Sequence, residues 1–269
     1  MPELPDVETF KRYLDATSLH QRISGVDVQD RYILKGVSMD ELARRLKGCR
    51  FESSRRHGKH LFVRADRDLW LRLHFGMTGS LKYFERKEPA PKHTRVLFLF
   101  ANRHRLAFED QRKFGEIGLI EDMNEFLKKR ALGPDALSIN LSQFRTIFQE
   151  PRGAVKTILL NQKLIAGIGN IYTDEILFHA RIHPATRASV LKEKTVAKLF
   201  RAARDILKKA IEAKADMDRM PKSWLLPHRG KGGKCPRCGR ELKSATIGGR
   251  TAWFCAHCQK RISWPQKYC

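Results

Sequence analysis

GIGNIYTDEILFHARIHP, residues 167–184, is the stretch that decides the fold. Its glycines punctuate a turn, and NIYTDEILFHA (170–180) then reads as an amphipathic helix. The same 3.6-residue period continues on both sides, in NLSQFRTIFQ (140–149), AVKTILLNQK (154–163) and the long KTVAKLFRAARDILKKAIEAK (194–214). Gly133-Pro134 marks where the pattern begins, so a helical domain is expected over 135–220.

Upstream the period shortens. RISGVDV (22–28), KHLFVRA (59–65), DLWLRLHF (68–75), TRVLFLFA (94–101), HRLAFED (104–110) and GEIGLIE (115–121) are short, β-branched or aromatic, and separated by turn residues. They predict a β-sandwich or flattened barrel ending near Glu121, in a domain over 1–122. A helix over Pro5–Leu19 leads into it, with Asp6 as its N-cap and Val7, Phe10 and Leu14 at helical spacing. The fold class is therefore α+β.

Downstream, RMPKSWLLPHRGKGGK (219–234) is a Pro-, Gly- and Lys-rich linker. Cys235-Pro-Arg-Cys238 and Cys255-Ala-His-Cys258 follow, separated by 255 − 238 − 1 = 16 residues. That spacing matches a four-cysteine zinc ribbon over 233–269. Four thiolates close the tetrahedron around one structural Zn2+ and leave no open position for chemistry. His257 is a competing ligand by position, although a histidine inside a knuckle is more often a solvated neighbour. ATIGGRTAWF (245–254) reads as a hairpin turning at Gly248-Gly249. Arg250 lies just past its tip, either solvated or gripping a phosphate.

The 269 residues carry 53 Lys+Arg against 29 Asp+Glu, a net charge of +24 spread along the whole chain. A polyanion is the expected partner. No apolar run approaches the roughly 18 residues of a membrane span, and the acidic MPELPDVET start lacks signal-peptide features. The clustered cysteines fit a reducing compartment rather than a disulfide framework. A cytoplasmic, nucleoid-associated monomer in a bacterial-type cell is expected.

Removal of Met1 would expose the secondary amine of Pro2. An α-amino group titrates near about 7.7–8.0, so part of it is neutral near pH 7. A helix starting nearby lowers that further, and such an amine attacks a sugar C1′ to form a Schiff base. PELPDVET (2–9) resembles the N-terminal signature of the formamidopyrimidine-DNA glycosylase and endonuclease VIII family, with Leu4 closer to the first branch. GIGNIYTDEILFHARIHP resembles that family's helix–two-turn–helix, and the zinc ribbon completes the order.

The resemblance implies a bifunctional glycosylase/AP lyase of base excision repair acting on double-stranded DNA that contains damaged bases. The DNA would lie in a cleft, with the lesion flipped and β,δ-elimination after base loss. Pro2 resembles the nucleophile and Glu3 the acid/base that opens the sugar ring, or else a helix-dipole partner. Lys59 in RRHGKHLF resembles the lysine beside lesion and phosphate. Asn170 and Arg250 resemble the residues that grip the flanking phosphates, and Asn170 is also a natural N-cap. Lys156 and His74 are further backbone-contact candidates. Met77 in HFGMTG, with Arg112 and Phe114 in EDQRKFGE, resembles the wedge that fills the hole left by the flipped base; core packing is the alternative for Met77.

Two departures stand out. Asp6 replaces the commoner Glu, and ADMDRMPKSWLLPHRGKGGK (215–234) is shorter than the loop that caps a flipped purine in the 8-oxoguanine-cleaving branch. The competing class is a non-catalytic zinc-ribbon DNA-binding protein. Pro2, Glu3 and the Lys59 turn discriminate, because a mere binder has no use for them.

Overall fold

Strands with one apolar face must bury it, and the first half of the chain does so by stacking two sheets. In the computed structural model, which describes residues 1–149 and 153–261, the chain divides into units Met1–Ala131 and Leu132–Cys269. The first unit holds helices α1 (Leu4–Ser18), α2 (Met39–Leu46) and α3 (Met123–Lys129). Its strands are β1 (Ile23–Val28), β2 (Phe51–His57), β3 (His60–Ala65), β4 (Leu69–His74), β5 (Gly79–Glu85), β6 (Thr94–Phe100), β7 (His104–Asp110) and β8 (Glu116–Ile120). They form two antiparallel sheets ordered β1-β6-β7-β5 and β2-β3-β4-β8.

Leu61, Val63, Leu71 and Leu73 from one sheet and Val96, Phe98, Leu106 and Phe108 from the other belong to one buried cluster. Each fully buried Leu or Phe contributes about 1.5–3 kcal/mol. Helix α1 joins the same core through Val7 and Leu14, and Phe10 meets Phe75 at 4.5 Å between centroids. The helix starts earlier than the sequence pattern indicates. Glu3 is its N-cap, and Asp6, at the third helical position, accepts the Glu3 N–H at 2.9 Å. Pro5 sits in the first turn, where its missing N–H costs nothing. Helix α2 is an addition to the expected all-strand region, capped by Ser38 accepting from Glu41 N at 3.2 Å.

The second unit holds α4 (Leu141–Ile147), α5 (Val155–Leu160), α6 (Asn170–Ala180) and α7 (Glu193–Glu212), then the hairpin β9 (Lys243–Ile247) and β10 (Arg250–Phe254). Helix α6 is not amphipathic as expected: Tyr172, Thr173, Asp174, Glu175, Ile176, Leu177, Phe178 and Ala180 are all buried. A helix enclosed on every side needs partners for its acids, and both find them. Asp174 Oδ2 accepts from Arg229 at 2.9 Å and from Trp253 N at 3.0 Å, while Glu175 accepts from Leu225 N and Leu226 N at 3.1 and 2.7 Å. Gly248 and Gly249 turn the hairpin at φ +58° and +72°, as a two-residue turn of this hand requires. A Cβ on Gly248 would lie 2.7 Å from Thr157 Oγ1, so the turn packs on α5. Residues 262–269 of the expected ribbon domain, Cys269 included, lie outside the described residues. Among the described residues no helix is long and apolar enough to cross a membrane.

Candidate active site and nucleic-acid interface

At the N-terminus of α1, Pro2 is half-buried and Glu3 is only 1% exposed. Burial pushes the Asp6 carboxyl up, while the Glu3 N–H, the α-amino group and Lys59 pull it down. The Met1 amine and Lys59 therefore both act on the Asp6 carboxylate. Lys59 is held there by a two-residue turn between β2 and β3, with Gly58 at φ +56° and His57 paired to His60. Arg56 locks this hairpin to α1 through Glu8 Oε2 at 2.9 Å and donates to the Gly58 carbonyl at 3.1 Å.

His74 ends β4, its ring tilted 45° against that of His60 at 4.8 Å between centroids. Burial, with Arg72 and Lys59 adding to it, drops its imidazole to about 4 against the pull of Glu116. It is neutral at working pH. Gly76 N donates to its Nδ1 at 3.2 Å, which puts the proton on Nε2. His74 thus offers one neutral donor rather than a charge.

Met77, Arg112 and Phe114 come together on two adjoining loops. Met77 is 36% and Phe114 54% exposed, and Arg112 lies over the Phe114 ring at 5.0 Å. Core packing of Met77 is thereby ruled out. A Cβ on Gly76 would meet the Phe114 backbone at 2.4 Å, so only glycine lets the loops touch. The fully buried Asp110 clamps both, accepting from Thr78 Oγ1 at 2.5 Å, Arg112 N at 3.2 Å and Gly115 N at 2.6 Å. Asp110→Ala leaves buried N–H donors without an acceptor at a cost of about 1–3 kcal/mol each. The expected result is a lower melting temperature together with a higher KM for lesion duplex. An unchanged melting temperature would show that the loops hold themselves.

In the second unit, Gly169 is the N-cap of α6 and Asn170 its first residue, so Asn170 is not the cap. Its Oδ1 is enclosed without a hydrogen-bond partner among the described residues. Lys156 does not reach outward. It is 0% exposed, with Nζ on Asp174 Oδ1 at 2.5 Å, so its ammonium serves the interior and the expected phosphate contact is corrected. Asp174, one turn along α6 from Asn170, thus gathers α5, Arg229 and β10. Arg250 is exposed at the start of β10. Sequence reasoning missed the two organising acids, Asp110 and Asp174.

The Sγ atoms of Cys235, Cys238, Cys255 and Cys258 lie within 4.8 Å of one another, with 3.9 Å between the first and fourth and 3.6 Å between the second and third. A tetrahedron with Zn–S near 2.3 Å has edges of about 3.8 Å, so the four fit one structural zinc. His257 is exposed and outside the cluster. The buried Gln259 accepts from Cys255 N and donates to Ile182 O, both at 2.9 Å, which ties the second knuckle to the end of α6.

Comparison with known proteins places these parts in one family. Residues 1–117 match the formamidopyrimidine-DNA glycosylase N-terminal domain, 132–221 its H2TH domain, and 232–261 the zinc finger found in FPG and IleRS. The formamidopyrimidine-DNA glycosylase of Pelotomaculum thermopropionicum is 33% identical over 97% of this chain and 99% of its own length. That of Carboxydothermus hydrogenoformans is 36% identical over 97% and 100%. Among solved structures, Lactococcus lactis Fpg with N7-benzyl-Fapy-dG DNA superposes at TM-score 0.89, with 30% identity over 97% of this chain and 100% of that one. The same protein with abasic-site DNA gives 0.87, with 31% identity over 96% and 100%. Matched end to end by three consecutive domains and by relatives above 30% identity, the chain belongs to the formamidopyrimidine-DNA glycosylase family.

Proposed function

We propose that this chain is a bifunctional DNA glycosylase and AP lyase that excises oxidised bases from duplex DNA. The observation that carries the reading is the N-terminal corner, where half-buried Pro2 and buried Glu3 open α1 beside Asp6, whose carboxyl feels both the Met1 amine and Lys59. After loss of Met1, the Pro2 nitrogen bonds to C1′ and the damaged base leaves with its glycosidic electron pair. Glu3 protonates the ring oxygen, the sugar opens, and the iminium at C1′ acidifies C2′. Loss of that proton expels the 3′ phosphate, and a second elimination expels the 5′ phosphate. Lys59 and the His74 Nε2–H hold the backbone beside the lesion, Asn170 and Arg250 hold the flanking phosphates, and Met77, Arg112 and Phe114 fill the vacated stack. The site of action is the bacterial nucleoid, and the working unit is one chain.

The lesion class follows from residues 215–234. Met220, Trp224, Leu225 and Leu226 are all buried, and the carboxylate of Glu175 takes the Leu225 and Leu226 N–H groups. A segment so engaged has few backbone donors left to close over a flipped purine and read it. Ring-opened formamidopyrimidines, abasic sites and hydantoins are therefore better substrates than 8-oxoguanine. Single-turnover rates on matched duplexes test this. An 8-oxoguanine rate opposite cytosine equal to the hydantoin rate rejects the lesion assignment, and binding without cleavage of any lesion rejects the enzyme.

A further inference from the structure

The end of α6 remote from Asn170 carries a basic hollow that the proposed reaction does not use. Arg181, Arg237, His257, Cys258 and Lys260 line a cavity of about 470 Å³. Arg237 is fixed over the Phe178 ring at 4.2 Å and donates to the Phe178 carbonyl at 3.2 Å. Lys198 on α7 stands close by: burial first, then Arg181 and Arg237, lower its ammonium. Among the described residues no carboxylate forms an ion pair with any of these four cations.

Two anionic features of the fold account for only part of this charge. Zinc with four thiolates carries 2 − 4 = −2, and the C-terminus of α6 adds about −0.5. Against them stand Arg181, Lys198, Arg237 and Lys260, an excess of about 4 − 2.5 = 1.5 charges. Cations gathered without a counter-charge repel one another, and a phosphate bridging two guanidinium forks relieves that repulsion. The hollow is also displaced from the phosphate grip. Asn170 opens α6 and Arg181 caps it, eleven residues and about 16 Å apart. The two ends of a helix face opposite ways, so a duplex laid across Asn170 does not present the same phosphates to Arg181.

We propose that this hollow is a second phosphodiester-binding site, which holds a segment of undamaged duplex while another is held at Asn170 and Arg250. The proposal rests on the DNA-processing reading above. It fits a repair enzyme that passes between neighbouring DNA segments, and the partner is the polymer on which such an enzyme already sits. The charge of +24 provides for more than one such contact.

The test uses the full-length zinc-loaded protein saturated with a short duplex carrying a tetrahydrofuran abasic analogue. A second, undamaged, dye-labelled duplex is then titrated in. Wild type should form the ternary complex. Arg181→Glu with Lys260→Glu should weaken the second duplex tenfold or more while binding the first within twofold. The milder Arg181→Gln with Lys260→Gln, which keeps the side-chain size, should weaken it less and lower the salt slope by about 2 × 0.9. No ternary complex with wild type, or an unchanged second affinity in both variants, overturns the proposal. Equal loss of the first duplex overturns it too, since the hollow then belongs to the primary interface. Inorganic phosphate offers the same forked contacts without the polymer's neighbouring charges, so it should displace the second duplex only at roughly millimolar concentration; displacement at roughly micromolar phosphate makes this a small-anion site instead. Failure of wild type to bind the first duplex sinks the DNA reading itself.

Discussion

Blocking the amine of Pro2 should lower strand cleavage by about 10³-fold or more while leaving affinity for abasic duplex within about twofold. Ordinary titration values favour the terminal amine over Lys59 as the proposed nucleophile. At pH 7 an α-amino group near 7.8 is about 15% neutral, whereas a lysine near 10.4 is about 0.04% neutral. The ratio is several hundredfold before geometry enters. An uncleaved N-terminal tag removes this nucleophile without touching the loops that hold DNA. Borohydride reduction of the reacting complex should trap a covalent adduct, and peptide mass spectrometry should place it on Pro2. An adduct on Lys59, or full cleavage by the tagged protein, would falsify the assignment.

How legible these features are in the sequence depends on the range of the interaction behind them. Alternation in TRVLFLFA and HRLAFED reports which side chain faces the core, a local property, and both stretches are strands of one sheet. The cysteine spacing is likewise local and led to the zinc cluster directly. Ser38, followed three residues on by Glu41, was a legible start signal for α2, hidden inside a strand-rich region. In ELPD two acids three residues apart both qualify as the cap, and Pro5 in the first turn was the evidence for the earlier one. The buried acids are different. Asp174 meets Lys156 across 18 residues and Trp253 across 79, so an acid that looks like a solvated helix position is the centre of a network. The same non-local pairing explains why Lys156, a plausible phosphate contact by sequence, turned inward.

Removing the zinc should have the second-largest effect, loss of lesion-duplex affinity by at least as much as Arg250→Ala produces. The ribbon has little apolar core of its own. Its buried clusters hold Cys235, Leu242 and Cys255 against Phe178 and Leu225, and Ile247, Ala252 and Phe254 against Ala154 and Ala185. A unit of this size does not hold its shape without a staple, and a structural zinc contributes about 10–16 kcal/mol. The hairpin carries Arg250, and its register depends on Trp253 N meeting Asp174 and on Gln259 holding the second knuckle. Arg250→Ala alone should lose the proposed charge-assisted phosphate contact, worth about 1.5–3 kcal/mol, or about 10- to 100-fold in affinity. Its salt slope should fall by about 0.9. Chelation, or Cys238→Ser, frees the whole hairpin and adds the cost of reordering it on DNA, so its loss must equal or exceed that figure. Among the described residues the one cluster of metal-ligating side chains lies in the ribbon, so the near-ultraviolet dichroism of the first unit's β-sandwich should persist. One zinc per chain by elemental analysis, and loss of binding with retention of that signal, is the expected result. A chelated protein that keeps full affinity would show that Arg250 is positioned without the metal, or that it touches no phosphate.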